Sequence, residues 1–199
     1  MDRNLTMIRR LGLLALAIAL AGCAHPITLT PDNHAIAAAK VEQSPRNVGY
    51  YLSAENRDKE FVTLGGGGDK VSHHPYRDLE PGLYLVLSNV FANVTSLKSA
   101  NDAETIRNKN ISFVFVPTVV PASSSDGVLT WPPTNFSINI DCVAYDATGK
   151  QIAVTSVQGL GLATFSEFTK MGYGLAGQRA ATDALLKLQD ALGKSPEFK

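Results

Sequence analysis

Between residues 136 and 142 the chain alternates apolar and polar residues with a period of two. Phe136, Ile138, Ile140 and Cys142 fall on one side, and Ser137, Asn139 and Asp141 on the other. That period belongs to a strand with one buried face. Asp146-Ala147-Thr148-Gly149-Lys150 then supplies turn chemistry, with glycine available for a positive φ. Phe136–Tyr145 and Gln151–Thr164 therefore read as an antiparallel hairpin. Gly159 and Gly161 in its second arm mark a bulge or a close approach of another element. Cys142 reads as a small core residue.

The other segments supply the remaining layers. Arg46–Ser53 reads as a strand with Val48, Tyr50 and Leu52 on one face. Residues 111–120 (ISFVFVPTVV) are apolar at almost every position, as in a strand covered on both faces, and Pro117 places the later half at an edge or bulge. Leu83, Val86, Leu87, Val90 and Val94 make one helical stripe, which predicts a helix over 81–94 with Pro81 in its first turn. Ala181, Leu185, Leu188 and Leu192 make a second, predicting a helix over 175–192 stopped at Gly193. Asn101–Lys109 suits a short exposed helical turn and Val94–Leu97 a brief strand. Residues 54–75, with Gly65-Gly66-Gly67-Gly68, read as a long loop. Residues 121–134 read as a second one. The expected fold class is α+β: a mixed or antiparallel sheet of four to five strands with helices packed on one face.

The N-terminal residues do not belong to that fold. Arg3, Arg9 and Arg10 precede an apolar run from Leu11 to Ala21, followed by Gly22 and Cys23. This is the plan of a secretory signal peptide, and the run is shorter than the ~20 residues of a spanning helix. The expected organisation is a signal segment over 1–22, a leader over 23–45, one α+β domain over 46–193 and a tail over 194–199. The leader, with its prolines and an Ala-rich stretch, reads as a spacer, although Ile27–Thr30 has the composition of an added edge strand.

Charge and motifs narrow the function classes. Lys plus Arg equals Asp plus Glu at 18 each, and without residues 1–22 the balance is 15 basic against 17 acidic. No basic surface for phosphate backbones is encoded, so nucleic acid is not an expected partner. GGGGDK lacks the Gly-Lys-Ser/Thr order of a phosphate loop. His73 and His74 read as surface histidines, and neither His-Glu-x-x-His nor Cys-x-x-Cys occurs, so no metal or cofactor is expected. No Gly-x-Ser-x-Gly elbow is present, and enzymatic activity is not expected. Trp131, set in Thr-Trp-Pro-Pro-Thr, is a stiffened aromatic suited to an interface, though it could equally fold over the core edge. Trp131, Tyr50 and Tyr51 are the candidate partner contacts, with Tyr76 able to extend the same shallow surface.

Leu20-Ala21-Gly22-Cys23 resembles the lipobox of bacterial lipoproteins. The resemblance implies cleavage before Cys23, attachment of diacylglycerol to its thiol and acylation of the new N-terminus. Three acyl chains give a stable membrane anchor where one does not. Ala24, rather than Asp, follows the cysteine, and this leans towards the periplasmic face of the outer membrane. The order of elements is similar to that of YajG-like lipoproteins: a strand at Val48–Leu52, the Leu87–Val94 stretch, the strand at Ile111–Val116, the long hairpin and an Ala/Leu-rich last helix. A second resemblance is to auxiliary lipoproteins of ABC-type transport systems. The expected function is a non-enzymatic binding or assembly module with an envelope protein partner. The second resemblance implies a lipid or another apolar ligand, held in an apolar groove beneath the long helix.

Overall fold

The computed structural model describes residues 24–127 and 131–199. Cys23 and the segment before it lie outside the described residues, as do residues 128–130. The fold is α+β. A five-stranded sheet has the order β5-β2-β6-β7-β8, built from β2 (Ser44–Tyr50), β5 (Phe91–Ser96), β6 (Ile111–Ser124), β7 (Asn135–Asp146) and β8 (Gln151–Leu162). β2 runs parallel to both of its neighbours, and β6, β7 and β8 are antiparallel. A second, three-stranded sheet has the order β1-β4-β3, from β1 (His25–Pro26), β3 (Phe61–Leu64) and β4 (Lys70–His73). The helices are α1 (Asn33–Ala38), α2 (Ala54–Asp58), α3 (Pro75–Val90), α4 (Ala103–Asn108), α5 (Phe165–Met171) and α6 (Leu175–Lys194).

The hairpin forms as its alternation dictates. Phe136, Ile138, Ile140, Cys142 and Ala144 are buried against α3 and α6 in one core. Gly159 and Gly161 pair with Ile138 and Phe136, and their purpose is close approach rather than a bulge. A Cβ at Gly159 would lie 2.1 Å from the Ala180 carbonyl oxygen, and one at Gly161 2.0 Å from that of Ala176. Ala176, Ala180 and Ala184, all fully buried, form the facing stripe of α6. The helix backbone therefore rests on the β8 backbone, and helix side chains reach its free edge. The Asp183 carboxylate accepts from Leu160 N (2.8 Å), while Arg179 and Lys187 donate to the carbonyls of Leu162 (2.7 Å) and Gln158 (2.9 Å).

Pro117 sits at an edge in the sense the sequence implied. β2 ends beside Phe115, whose carbonyl takes Tyr51 N (3.0 Å), so β6 has no strand partner on that side beyond it. The proline lacks a donor where no ladder acceptor exists. Two residues on, Val119 N donates to the Tyr76 hydroxyl (3.1 Å).

Several expectations are corrected. Residues 54–75 are not a loop: they hold α2, β3, β4 and the start of α3. The four glycines make only the turn between β3 and β4, with Gly67 and Gly68 at positive φ. α3 spans Pro75–Val90 rather than 81–94. Pro75 takes the first-turn position and Pro81 lies inside the helix. The helix stops at Val90 because Phe91 joins the sheet beside Ser44, so tertiary pairing overrides a stripe that continues to Val94. β6 runs on to Ser124, four residues into the expected loop.

Neither the first nor the last of the described residues are separate from the domain. Ile27, Leu29 and Ile36 are core residues. Leu29 N donates to Asp78 (2.9 Å), and Asn89 donates to the Ile36 carbonyl (2.8 Å). The segment read as a spacer is strapped across α3 and α6. At the other terminus Phe198 is buried among Phe91, Phe113 and Phe115, with ring centroids 5.3–6.0 Å apart.

Candidate functional site

The sequence-derived contact residues do not converge. Tyr50 points into the core at 6% exposure. Its hydroxyl donates to Glu80 Oε1 (3.2 Å), and Arg57 grips the same carboxylate with two bonds of 2.7 and 2.8 Å. The Arg57 bonds hold the Glu80 carboxyl below its usual range, and burial raises the Tyr50 phenol. Tyr51 faces the opposite side of the sheet, half-buried against the small cluster of Leu97, Ile106, Ile111 and Val114 that α4 completes. Tyr76 is buried. The strand alternation that put Val48, Tyr50 and Leu52 on one face placed that face inward, so a tyrosine surface does not exist.

Trp131 stands at one end of the molecule, half-buried. Its ring lies between His25 (centroids 4.3 Å apart) and Tyr173 (4.6 Å). Its carbonyl accepts from Gly66 N (3.2 Å), and a Cβ at Gly65 would lie 2.2 Å from that oxygen. The glycine turn is thus the seat of the Trp131 backbone. His25 also approaches Asp69 at 3.9 Å, and Ile27 N donates to Ser72 (2.9 Å), so the first described residues are zipped onto β4 here.

Around this stack the apolar side chains are uncovered. Leu64, Phe165, Met171 and Tyr173 are 62%, 60%, 61% and 49% exposed. Leu64 adjoins the glycine turn. Met171 ends α5, whose buried Phe168 anchors it, and Tyr173 follows two residues later. An open groove of about 440 Å³ beside Tyr173 is lined by Ile27, Glu60, His74, Arg77 and Gln178. Sequence reasoning missed this cluster because its members are far apart along the chain. Only the exposed aromatics of "TFSEFTKMGYG", short of core partners, gave a local signal.

His73 is corrected from the surface to the interior. It is 1% exposed, and neither ring nitrogen has a hydrogen-bond partner among the described residues. The ring lies 5.4 Å from Phe136 and 6.4 Å from Phe61, and burial lowers its pKa to about 4. Cys142 is buried, its thiol pushed up to about 12, which suits packing and not nucleophilic attack. Among the described residues no group of three or more His, Cys, Asp or Glu is placed to hold a metal ion.

No protein-family model matches the chain, and no curated protein sequence matches it. Among solved structures it is similar to the PelC dodecamer of Paraburkholderia phytofirmans, in two forms. A point variant of that protein is 13% identical, with a TM-score of 0.40 over 78% of this chain and 95% of that one. The other form is 13% identical, with a TM-score of 0.38 over 75% of this chain and 95% of that one.

Proposed function

We propose that this protein is a lipid-anchored envelope lipoprotein, acylated at Cys23 and facing the periplasm from the outer membrane, whose domain is a non-enzymatic binding or assembly module. The signal segment ending in Leu-Ala-Gly-Cys carries the anchoring half of this reading. The second half is carried by the core beneath the long helix. There Leu52, Tyr76, Leu79, Leu83, Pro117, Val119, Ile140 and Leu185 line a shallow, half-open pocket of about 10 Å³. That is room for about one water and no room for an acyl chain. The alternative, an auxiliary lipoprotein of an ABC-type transporter carrying an apolar ligand, needs an apolar groove at this place. A hydrolase needs a histidine beside a nucleophile. Here His73 faces Phe61 and Phe136, and His25 contacts Trp131 and Asp69.

Lipid on the N-terminus raises the effective concentration of the domain near envelope partners. Purification from native envelopes with crosslinking tests the proposal. The expected result is an acylated Cys23 by intact mass and one enriched envelope protein. Co-purifying lipid with no protein partner would favour the transporter reading instead.

A further inference from the structure

The exposed apolar end described above lies where the chain leaves towards Cys23, and this coincidence assigns it a partner. We propose that the surface formed by Leu64, Trp131, Phe165, Met171 and Tyr173 lies in the interfacial layer of a lipid bilayer. The proposal rests on the anchored reading of Cys23 for its geometry.

Three observations carry it. First, the tether is short. His25 is already bonded into β1 and stacked on Trp131, and Cys23 is two residues away, a reach of ~7 Å. With Ile27 and Leu29 locked in the core, an acyl chain on Cys23 enters its membrane beside Trp131, and the domain cannot stand off. Second, the apolar side chains gather at this end. α5 is seven residues long, about 10 Å, and carries Phe165 and Met171 at its two ends. Tyr173 follows it and touches Trp131. Other exposed apolar side chains lie away from the tether, among them Leu160 and Leu162, which line a groove with Ser137 and Ala122, and Tyr84, Val120 and Val154. Those left uncovered beside the point where the chain leaves towards its anchor mark a partner surface. Third, the composition suits the boundary between headgroups and acyl chains. Trp and Tyr prefer that layer, where an apolar ring and a polar edge are both satisfied, and bulky aliphatic and Phe side chains reach below it.

Trp131 is the only tryptophan in the chain, so its fluorescence reports this surface alone. The test uses the full protein purified from envelopes and inserted into vesicles of phosphatidylethanolamine and phosphatidylglycerol whose chains carry bromine near the glycerol end. The expected result is loss of about half of the Trp131 emission relative to unbrominated vesicles, as for a ring in the interface. Phe165→Ser with Met171→Ser, both at exposed positions, relieves that quenching while acylation and fold persist. Equal emission in brominated and plain vesicles overturns the proposal. So does a Trp131 that is shielded from acrylamide in envelopes yet untouched by bromine, which would assign the surface to a protein.

Acylation is read separately by intact mass. A protein without acyl chains refutes the lipoprotein reading on its own. The surface is then measured on the same vesicles by coupling the Cys23 thiol to a maleimide lipid, Cys142 being buried. Quenching there upholds the bilayer surface, and its absence overturns it.

Discussion

The seam between β8 and α6 and the end around Trp131 treat exposed surface in opposite ways. At the seam everything is closed. Glycines let the helix touch the strand, alanines fill the contact, and Asp183, Arg179 and Lys187 satisfy the strand edge that would otherwise invite another chain. At the Trp131 end Leu64, Phe165 and Met171 are left 62%, 60% and 61% exposed, beside a stack of three rings. The same domain therefore blocks association along one edge and leaves it open at one end. The open end is the surface we propose for the bilayer, and the closed seam sets the rigidity with which it is presented.

The seam breaks under the smallest addition of volume. Gly159→Val puts side-chain atoms into the α6 backbone at Ala180 and Ala184, with no flexible neighbour to yield. The expected loss is roughly 3 kcal/mol, read as a lower urea midpoint at unchanged slope. An unchanged midpoint would mean that helix and strand are not in contact.

His73 links the core to the small sheet that seats Trp131, and acid tests that link. Its pKa is about 4 in the folded protein, against about 6.5 unfolded. As pH falls below the unfolded value, the unfolded chain binds a proton that the folded one refuses. Stability is therefore lost between pH 6.5 and 4, levelling off below, by ~3 kcal/mol at most. His73→Phe, beside Phe61 and Phe136, removes this contribution. The wild-type minus variant stability should slope with pH only in that window, and a flat difference would show that the ring is hydrated or partnered.

A smaller effect is expected at the Arg57–Glu80 pair, which is about a quarter exposed. Glu80→Gln costs ~1 kcal/mol near neutral pH after solvent screening. Because its folded pKa is depressed, that contribution is present above the unfolded value and fades as pH falls through the folded one. A variant as stable as wild type at pH 7 would contradict it.

The smallest change in stability belongs to the Trp131 end. Phe165→Ser should alter the urea midpoint by no more than ~0.5 kcal/mol, although it removes a large apolar side chain. A larger loss would show that Phe165 holds the fold together and is not reserved for a partner.

This contrast also explains what the sequence revealed. Alternation at Phe136–Cys142, the glycines of β8 and the Leu/Ala stripe of the last helix are local patterns, and the hairpin and α6 follow from them. Pro117 was legible as an edge signal because donor loss is a property of one residue. The start of α3 was not, since His73-His74-Pro75 reads as polar loop until β3 and Phe136 bury His73. Tyr50 and Tyr76 were misplaced because which face of a strand or helix turns inward depends on elements far along the chain. The Trp131 cluster draws on residues from 25 to 173, brought together by a glycine turn and a short helix, and no spacing in the sequence announces it. Trp131 alone was singled out, on its proline-stiffened setting.

The most direct measurement is hydrogen exchange on the acylated protein, bound to vesicles and compared with the same protein in detergent. Protection confined to residues 24–31, 64–69 and 162–174, with the Asp146–Lys150 turn and the outward face of β6 to β8 exchanging as before, is the result expected of a domain lying on its Trp131 end. Protection spread over that outward face around Val120, Asn139 and Gln158, with none at 162–174, would contradict it.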